Sequence, residues 1–255
     1  MSSHLELQQI ELLFAWTSLY KFNSHLYINM KFDLHVHSDH SKDSKSSHDE
    51  ILEVVLKKGI DGFAICDHDT VEGGIACEKR ALELGFDITV IPGVEVTSSK
   101  GHILVLGIRK NIESLLSPEE TIAWARKLGG TVIIPHPFKQ SSHGIGSFEG
   151  LDIDAVEVFN SRCILNNANL KAETEAKRLG IPGVGGSDSH VPEMVGQAYT
   201  EIDASENTME AVLRAIRKGK VVPEGKNTPL PIILKQMLVS VKRKLKKRLG
   251  KLIKI

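Results

Sequence analysis

The sequence predicts an α/β fold whose mainly parallel sheet closes into a barrel. Three observations lead there. From Met30 onward, apolar strand-like runs alternate with helix-like runs, the pattern of a parallel sheet with crossover helices. About seven such units follow one another over roughly 200 residues, which suits one closed barrel better than two small domains. The 255 residues, 41% hydrophobic and 25% charged, have an ordinary globular composition and can bury a large single core.

The first strand is KFDLHVH, where Phe32, Leu34 and Val36 alternate with Asp33, His35 and His37. Ser47 with Glu50 three residues on is a capping-box pattern that opens a helix through SHDEILEVVLKKG, and Gly59 ends it. DGFAICDHD is the second strand and VEGGIACEKRALELG the helix after it. DITVIPGVEVTS and GHILVLGI are the third and fourth strands. SPEETIAWARKLGG is a helix capped by Ser117, with Pro118 in its first turn. TVIIPHPF and DAVEVFN are the fifth and sixth strands, NNANLKAETEAKRLG is a helix, and IPGVGGSDSH is a short seventh strand entering a loop. SENTMEAVLRAIRKG closes the series as a helix capped by Ser205.

Around this series the chain divides into three parts. Residues 1–29 follow no strand or barrel logic and make a poor signal peptide; Met30 is the expected native start, or a loosely attached helix precedes it. Residues 30–222 form the barrel domain. Residues 223–255 form a linker, with Val221–Pro231 rich in proline, followed by a basic amphipathic helix. There is no internal repeat, and no apolar run is long enough to span a membrane. Cys66, Cys77 and Cys163 are distant from one another and odd in number, which points to a reducing, cytoplasmic setting rather than a disulfide framework.

The formal net charge is zero but unevenly spread. Residues 225–255 hold ten Lys or Arg and no acid, leaving 22 basic and 32 acidic side chains in residues 1–224. An acidic body suits a site that gathers cations. In the tail, Leu234, Leu238, Val241, Leu245, Leu249 and Ile253 draw one helical stripe among lysines and arginines. That stripe could dock on the barrel, lie on an anionic membrane surface, or accompany nucleic acid binding.

Candidate metal ligands gather at predicted strand ends. His35 and His37 project to one side of a strand, where they suit a divalent metal or a polar surface equally. His68, Glu95, His136, Asp188 and His190 sit at or just past later strand ends, and Asp43 lies in the loop after the first strand. In a parallel barrel those ends open onto one face. His102 begins the fourth strand and joins the others only if that strand runs antiparallel or its preceding turn lies at the rim. A single histidine at a strand end reads as a surface residue, but a whole set ending apolar strands does not. Nine nitrogen and oxygen ligands exceed one ion and suit two or three sharing a carboxylate; the absence of cysteine ligands favours zinc, manganese or iron.

DLHVHS, DHDT, GVEV, HPF and GSDSH occur in the order found in the polymerase and histidinol phosphatase (PHP) family, which this chain resembles over about residues 31–222. The resemblance implies a distorted (β/α)7 TIM-like barrel holding two or three divalent metal ions and hydrolysing phosphate esters with a metal-activated water. It implies that His35, His37, Glu95 and Asp188 hold a first metal, that Glu95 bridges to a second with His136 and His102, and that Asp43, His68 and His190 hold a third. Asp43 stands where some members have histidine.

Asp188 or His190 would assist proton transfer. Arg162, just past the sixth strand, is a candidate phosphate clamp or else an ordinary ion pair, and Lys139 a weaker one. His143 reads as solvated, His40 and His48 as surface residues, and Asp67 and Asp69 as either ligand-orienting groups or exposed loop carboxylates. The expected substrate is a phosphorylated small molecule, a nucleotide or a short oligonucleotide. The alternatives are a histidinol phosphate phosphatase and a non-catalytic metal-binding PHP module.

Overall fold

The structure, a computed structural model, describes residues 28–139, 143–163 and 167–236. In chain order its elements are β1 (Ile28–Val36), α1 (His48–Lys58), β2 (Gly62–Ile65), α2 (Glu72–Glu83), β3 (Thr89–Thr97), β4 (His102–Leu106), α3 (Pro118–Lys127), β5 (Thr131–Ile134), β6 (Ala155–Asn160), α4 (Asn167–Leu179), β7 (Gly183–Gly186), β8 (Ala198–Ala204), α5 (Met209–Arg217) and β9 (Val221–Gly225). The predicted reading of residues 1–29 falls, but for Ile28 and Asn29, outside the described residues.

The sheet is a nearly closed barrel. β1, β2 and β3 are parallel, β4 is antiparallel to both β3 and β5, and β5, β6 and β7 are parallel again. Just past β7, Ser189 bridges to Val36. The His37 N–H donates to the Ser189 carbonyl (3.0 Å) and the Ser189 N–H to the His35 carbonyl (3.3 Å), joining the last strand of the ring to the first. The antiparallel strands β8 and β9 extend the sheet from β1. The Thr200 hydroxyl of β8 exchanges hydrogen bonds with the backbone of Gly185 (2.9 Å each) and ties this extension to β7.

Local chemistry explains the helix ends. Ser47 and Ser117 both form complete capping boxes, with Glu50 and Glu120, and Gly59 ends α1 in the left-handed conformation at φ 61°. α5 departs from expectation. Its cap is Thr208, whose side chain accepts from the Ala211 N–H, and not Ser205. β9 also corrects the sequence reading, since it occupies the first five residues of the supposed linker. Its Pro223 is tolerated because β9 is an edge strand, where a missing N–H leaves no ladder bond unmade.

The apolar core has an inside and an outside. Phe32, Leu34, Ile91, Leu104, Ile133 and Val184 fill the barrel, and Val212, Leu213 and Ile216 of α5 pack beneath them. Thr89, at the start of β3, donates to the Asn207 carbonyl (2.8 Å), so α5 closes the end opposite the β3 C-terminus. Outer clusters pack α1 and α2 against β1–β3, and α3 and α4 against β4–β6. Phe32 is fully buried, and a Cβ added at Gly62 would lie 2.2 Å from its ring. Phe32→Ala is therefore expected to cost about 3–5 kcal/mol of stability. Urea unfolding checks this; a loss below about 1 kcal/mol would show that the ring does not fill the barrel.

Among the described residues no helix is long and apolar enough to cross a membrane. Cys66, Cys77 and Cys163 are buried, free thiols. Residues 230–236 are helical, with Ile233 and Gln236 buried and Leu234 49% exposed. The described turn of the tail thus packs through Ile233 and Gln236, not through the predicted stripe that starts at Leu234. The rest of that stripe lies outside the described residues.

Candidate metal centre

A break in the rhythm of β1 aims the first two histidines. Met30, Phe32 and Leu34 point into the barrel, but Val36 packs in the outer cluster with Ile51, Leu52 and Val55 of α1. The register against β2 shifts between Asp33 and Val36. Such an irregularity reverses which face later side chains take. His35 and His37 are therefore turned inward, both fully buried, although simple alternation places them opposite Phe32 and Leu34. β6 carries a second register shift, between Glu157 and Phe159, which turns both Glu157 and Asn160 inward; the Asn160 amide donates to Glu157 Oε2 (2.9 Å).

Glu95 is the hub. Its Oε1 lies 2.7 Å from His102 Nδ1, 3.1 Å from His136 Nε2 and 3.7 Å from His35 Nε2; its Oε2 lies 3.0 Å from His68 Nδ1 and 3.4 Å from His37 Nε2. One carboxylate thus touches five imidazoles. β4 runs antiparallel, which brings its first residue, His102, to this rim and resolves the question of direction. His35 Nε2 and His37 Nε2 face each other at 3.2 Å, with Asp188 Oδ1 at 4.0 and 3.7 Å. Asp43 Oδ2 lies 3.1 Å from His190 Nε2 and 3.4 Å from His68 Nε2. All nine candidates come together.

The donor set fits divalent cations. Ligands held ~2.1 Å from a tetrahedral ion lie about 3.4 Å apart, close to the spacings here. His136 Nδ1 and Asp43 Oδ1 are buried with no hydrogen-bond partner among the described residues, as expected of groups arranged for more than one another. Two ligand candidates also hold unusual backbone, His136 at φ 30° and Asp188 at φ 50°. Non-glycine residues in that region store strain, a feature concentrated at functional sites.

Electrostatics follow from this crowding. Burial disfavours charge on Glu95, yet the imidazoles of His68, His102 and His35 hold its carboxyl well below the usual range. Burial likewise opposes charge on Asp188, but Lys139 and Arg162 outweigh it and hold it low. Their nitrogens lie 2.9 Å from Asp188 Oδ2 and Oδ1. Burial, aided by His190 and His68, keeps His37 well below the ordinary imidazole value. For His68 burial loses instead: Glu95 and Asp43 push its pKa up to about 9.

Among the secondary candidates, Asp67 accepts from both the Ser38 N–H (2.7 Å) and hydroxyl (2.6 Å), anchoring the residue after His37. Asp69 accepts from the Thr97 N–H (2.8 Å) and so braces the end of β3. Both carboxylates orient backbone, which excludes the exposed-loop reading. His143 is not simply solvated: its Nδ1 lies 3.0 Å from His102 Nε2. Glu157 was not anticipated. Its Oε1 accepts from His35 Nδ1 (3.0 Å) and its Oε2 from the His136 N–H (2.9 Å), and its side chain is buried. The signal was a lone acid inside an apolar strand covered on both faces. Bonding at Nδ1 presents Nε2 of His35 to the centre, so Glu157→Ala is expected to weaken metal affinity about 10–100-fold. A metal-competition titration measures this, and unchanged affinity would remove Glu157 from the site.

Comparison with known proteins now identifies the kin of this chain. A family model described as PHP-associated matches residues 166–221. The fold matches the crystal structure of a two-domain protein from Bacteroides vulgatus containing a predicted PHP-like metal-dependent phosphoesterase. The TM-score is 0.65 at 18% identity, covering 78% of this chain and 66% of that one. The chain belongs to the PHP family. An uncharacterised protein of Methanocaldococcus jannaschii is 39% identical over 143 residues, 52% of this chain and 82% of its own length. Two matches with named activities are shorter. A phosphoribosyl 1,2-cyclic phosphate 1,2-diphosphodiesterase of Eggerthella lenta is 34% identical over 89 residues, 32% of this chain and 33% of that protein. A 5′-3′ exoribonuclease of Haemophilus influenzae is 38% identical over 69 residues, 27% of this chain and 24% of that protein.

Proposed function

We propose that this PHP protein is a metal-dependent phosphoesterase that hydrolyses a phosphodiester in a nucleotide or short oligonucleotide. The observation that carries the reading is the Glu95 carboxylate in contact with five imidazoles, beside three further groups of ligand type. His35, His37, Glu95 and Asp188 would hold a first ion. Glu95, His102 and His136 would hold a second, and Asp43, His68 and His190 a third. Zinc, manganese or iron suits such imidazole and carboxylate donors. Held by these residues, such ions would supply water acidified towards a pKa of ~7 and positive charge opposite the phosphate.

The chain's own groups complete the chemistry. Arg162 and Lys139, each about a quarter exposed, bring two cations to the rim beside Asp188. Arg162 would fork onto phosphate oxygens, with Asp188 among the groups that would hold an ion. His190 Nδ1 lies 3.2 Å from the Arg162 guanidinium, and His190 or Asp188 would accept the proton of the attacking water. The preference for a diester rests on the two matches with named activities, one named a diphosphodiesterase and the other a 5′-3′ exoribonuclease.

The test is turnover, with added manganese, of a phosphomonoester, a phosphodiester and a short 5′-phosphorylated RNA. The expected result is diester or RNA cleavage that chelation removes and manganese restores. Preference for the monoester would redirect the reading towards a phosphatase. No turnover of any substrate, with metal bound stoichiometrically, would favour the non-catalytic module.

A further inference from the structure

We propose that Asp39, His40 and His48 bind one additional divalent transition-metal ion at the neck of the β1–α1 loop, separate from the barrel centre. Asp39 and His40 sit in the turn after β1, and His48 is the first residue of α1. One nitrogen or oxygen from each lies within 4.8 Å of the others. The His40 and His48 ring centroids are 5.2 Å apart with nearly parallel planes, 12° from each other. Asp39 Oδ1 is 3.4 Å from His40 Nδ1. The independent observation is His48 Nε2, which is buried and has no hydrogen-bond partner among the described residues. A buried ring nitrogen without a partner is costly, and an ion would satisfy it. Two imidazoles and a carboxylate with no thiolate suit zinc, nickel or cobalt, with water completing the shell.

The cluster is pre-formed by backbone. The Asp39 N–H donates to the Ser46 carbonyl (2.9 Å) and draws the two ends of the loop together. The ion would clasp that neck. The loop it closes carries Ser41, whose hydroxyl lies 3.1 Å from His37 Nδ1, and Asp43, 3.1 Å from His190 Nε2. Occupancy would thus steady two groups of the barrel centre without touching any ion there.

The test titrates metal-stripped full-length protein with Co2+, read by visible absorption and equilibrium dialysis. It compares the unaltered chain, His40→Ala/His48→Ala and His37→Ala. The expected result is one Co2+ fewer per chain in the double variant than in the unaltered protein, with manganese-supported turnover retained. Co2+ should also raise the thermal unfolding midpoint less in the double variant. Equal stoichiometry in the two proteins would overturn the site. Should the double variant fail to fold, His48→Gln alone carries the test, with at least tenfold weaker binding of the extra ion expected and unchanged binding overturning it. Loss of ions in His37→Ala but not in the double variant would overturn this site and leave the barrel centre standing. The reverse pattern would support this site and overturn the centre.

Discussion

Asp188→Ala is expected to reduce turnover at least ~10³-fold while leaving the barrel folded. Asp188 lies in the loop after β7, outside the apolar clusters, so its loss opens no cavity in the core. Its carboxylate faces His35 and His37 on one side, and Lys139 and Arg162 on the other. On the proposed assignment, removing it would take a ligand from the first group of donors. It also leaves two cations facing the remaining ligands, and like charge there opposes a divalent ion. Both losses act in the same direction. Circular dichroism and the thermal midpoint report the fold, and turnover at saturating manganese reports the chemistry. Full activity in metal-loaded Asp188→Ala would refute the ligand assignment, whatever the substrate.

Metal affinity is expected to rise about tenfold per pH unit across the neutral range for each proton displaced. The His68 pKa is pushed up to about 9, so without metal the ring carries a proton at pH 7, which an ion must displace. The rise therefore flattens as pH passes about 9. The linkage has the opposite sign for the metal-free fold. A histidine whose pKa is raised by folding contributes stability fully below its unfolded value of ~6.5, and that contribution fades as pH climbs through the folded value. Metal-buffered titrations at pH 6.5, 7.5 and 8.5 measure the first trend, and urea unfolding of metal-free protein the second. An affinity independent of pH would show that ions do not displace the His68 proton.

Much of this molecule is legible in its one-dimensional pattern. The Ser47 and Ser117 capping boxes, the succession of buried strands and the placing of ligand-type residues at their ends all depend on short-range chemistry. The rest depends on what neighbours supply. β8 alternates cleanly in burial, but its meaning comes from pairing with β1, 168 or more positions away along the chain. Pro223 looks like a linker residue until the absence of an outer neighbour makes it harmless. The direction of β4, and with it the placement of His102, is set by the short turn after Thr97. Glu157 is unremarkable as one acid in a strand and becomes informative only once His35 and the His136 backbone are seen to converge on it.

The register shift in β1 separates two demands that one strand would otherwise have to reconcile. Below it, Met30, Phe32 and Leu34 answer to the volume of the barrel interior. Above it, His35 and His37 answer to the donor geometry of the rim. Drift in the lower half, such as exchange of one apolar side chain for another, can proceed without steering the histidines. A one-residue deletion at Asp33–Val36 would leave Met30 and Phe32 in place and turn the residues that follow it, His37 among them, to the opposite face. Substitutions should therefore be tolerated far better in this strand than changes of length.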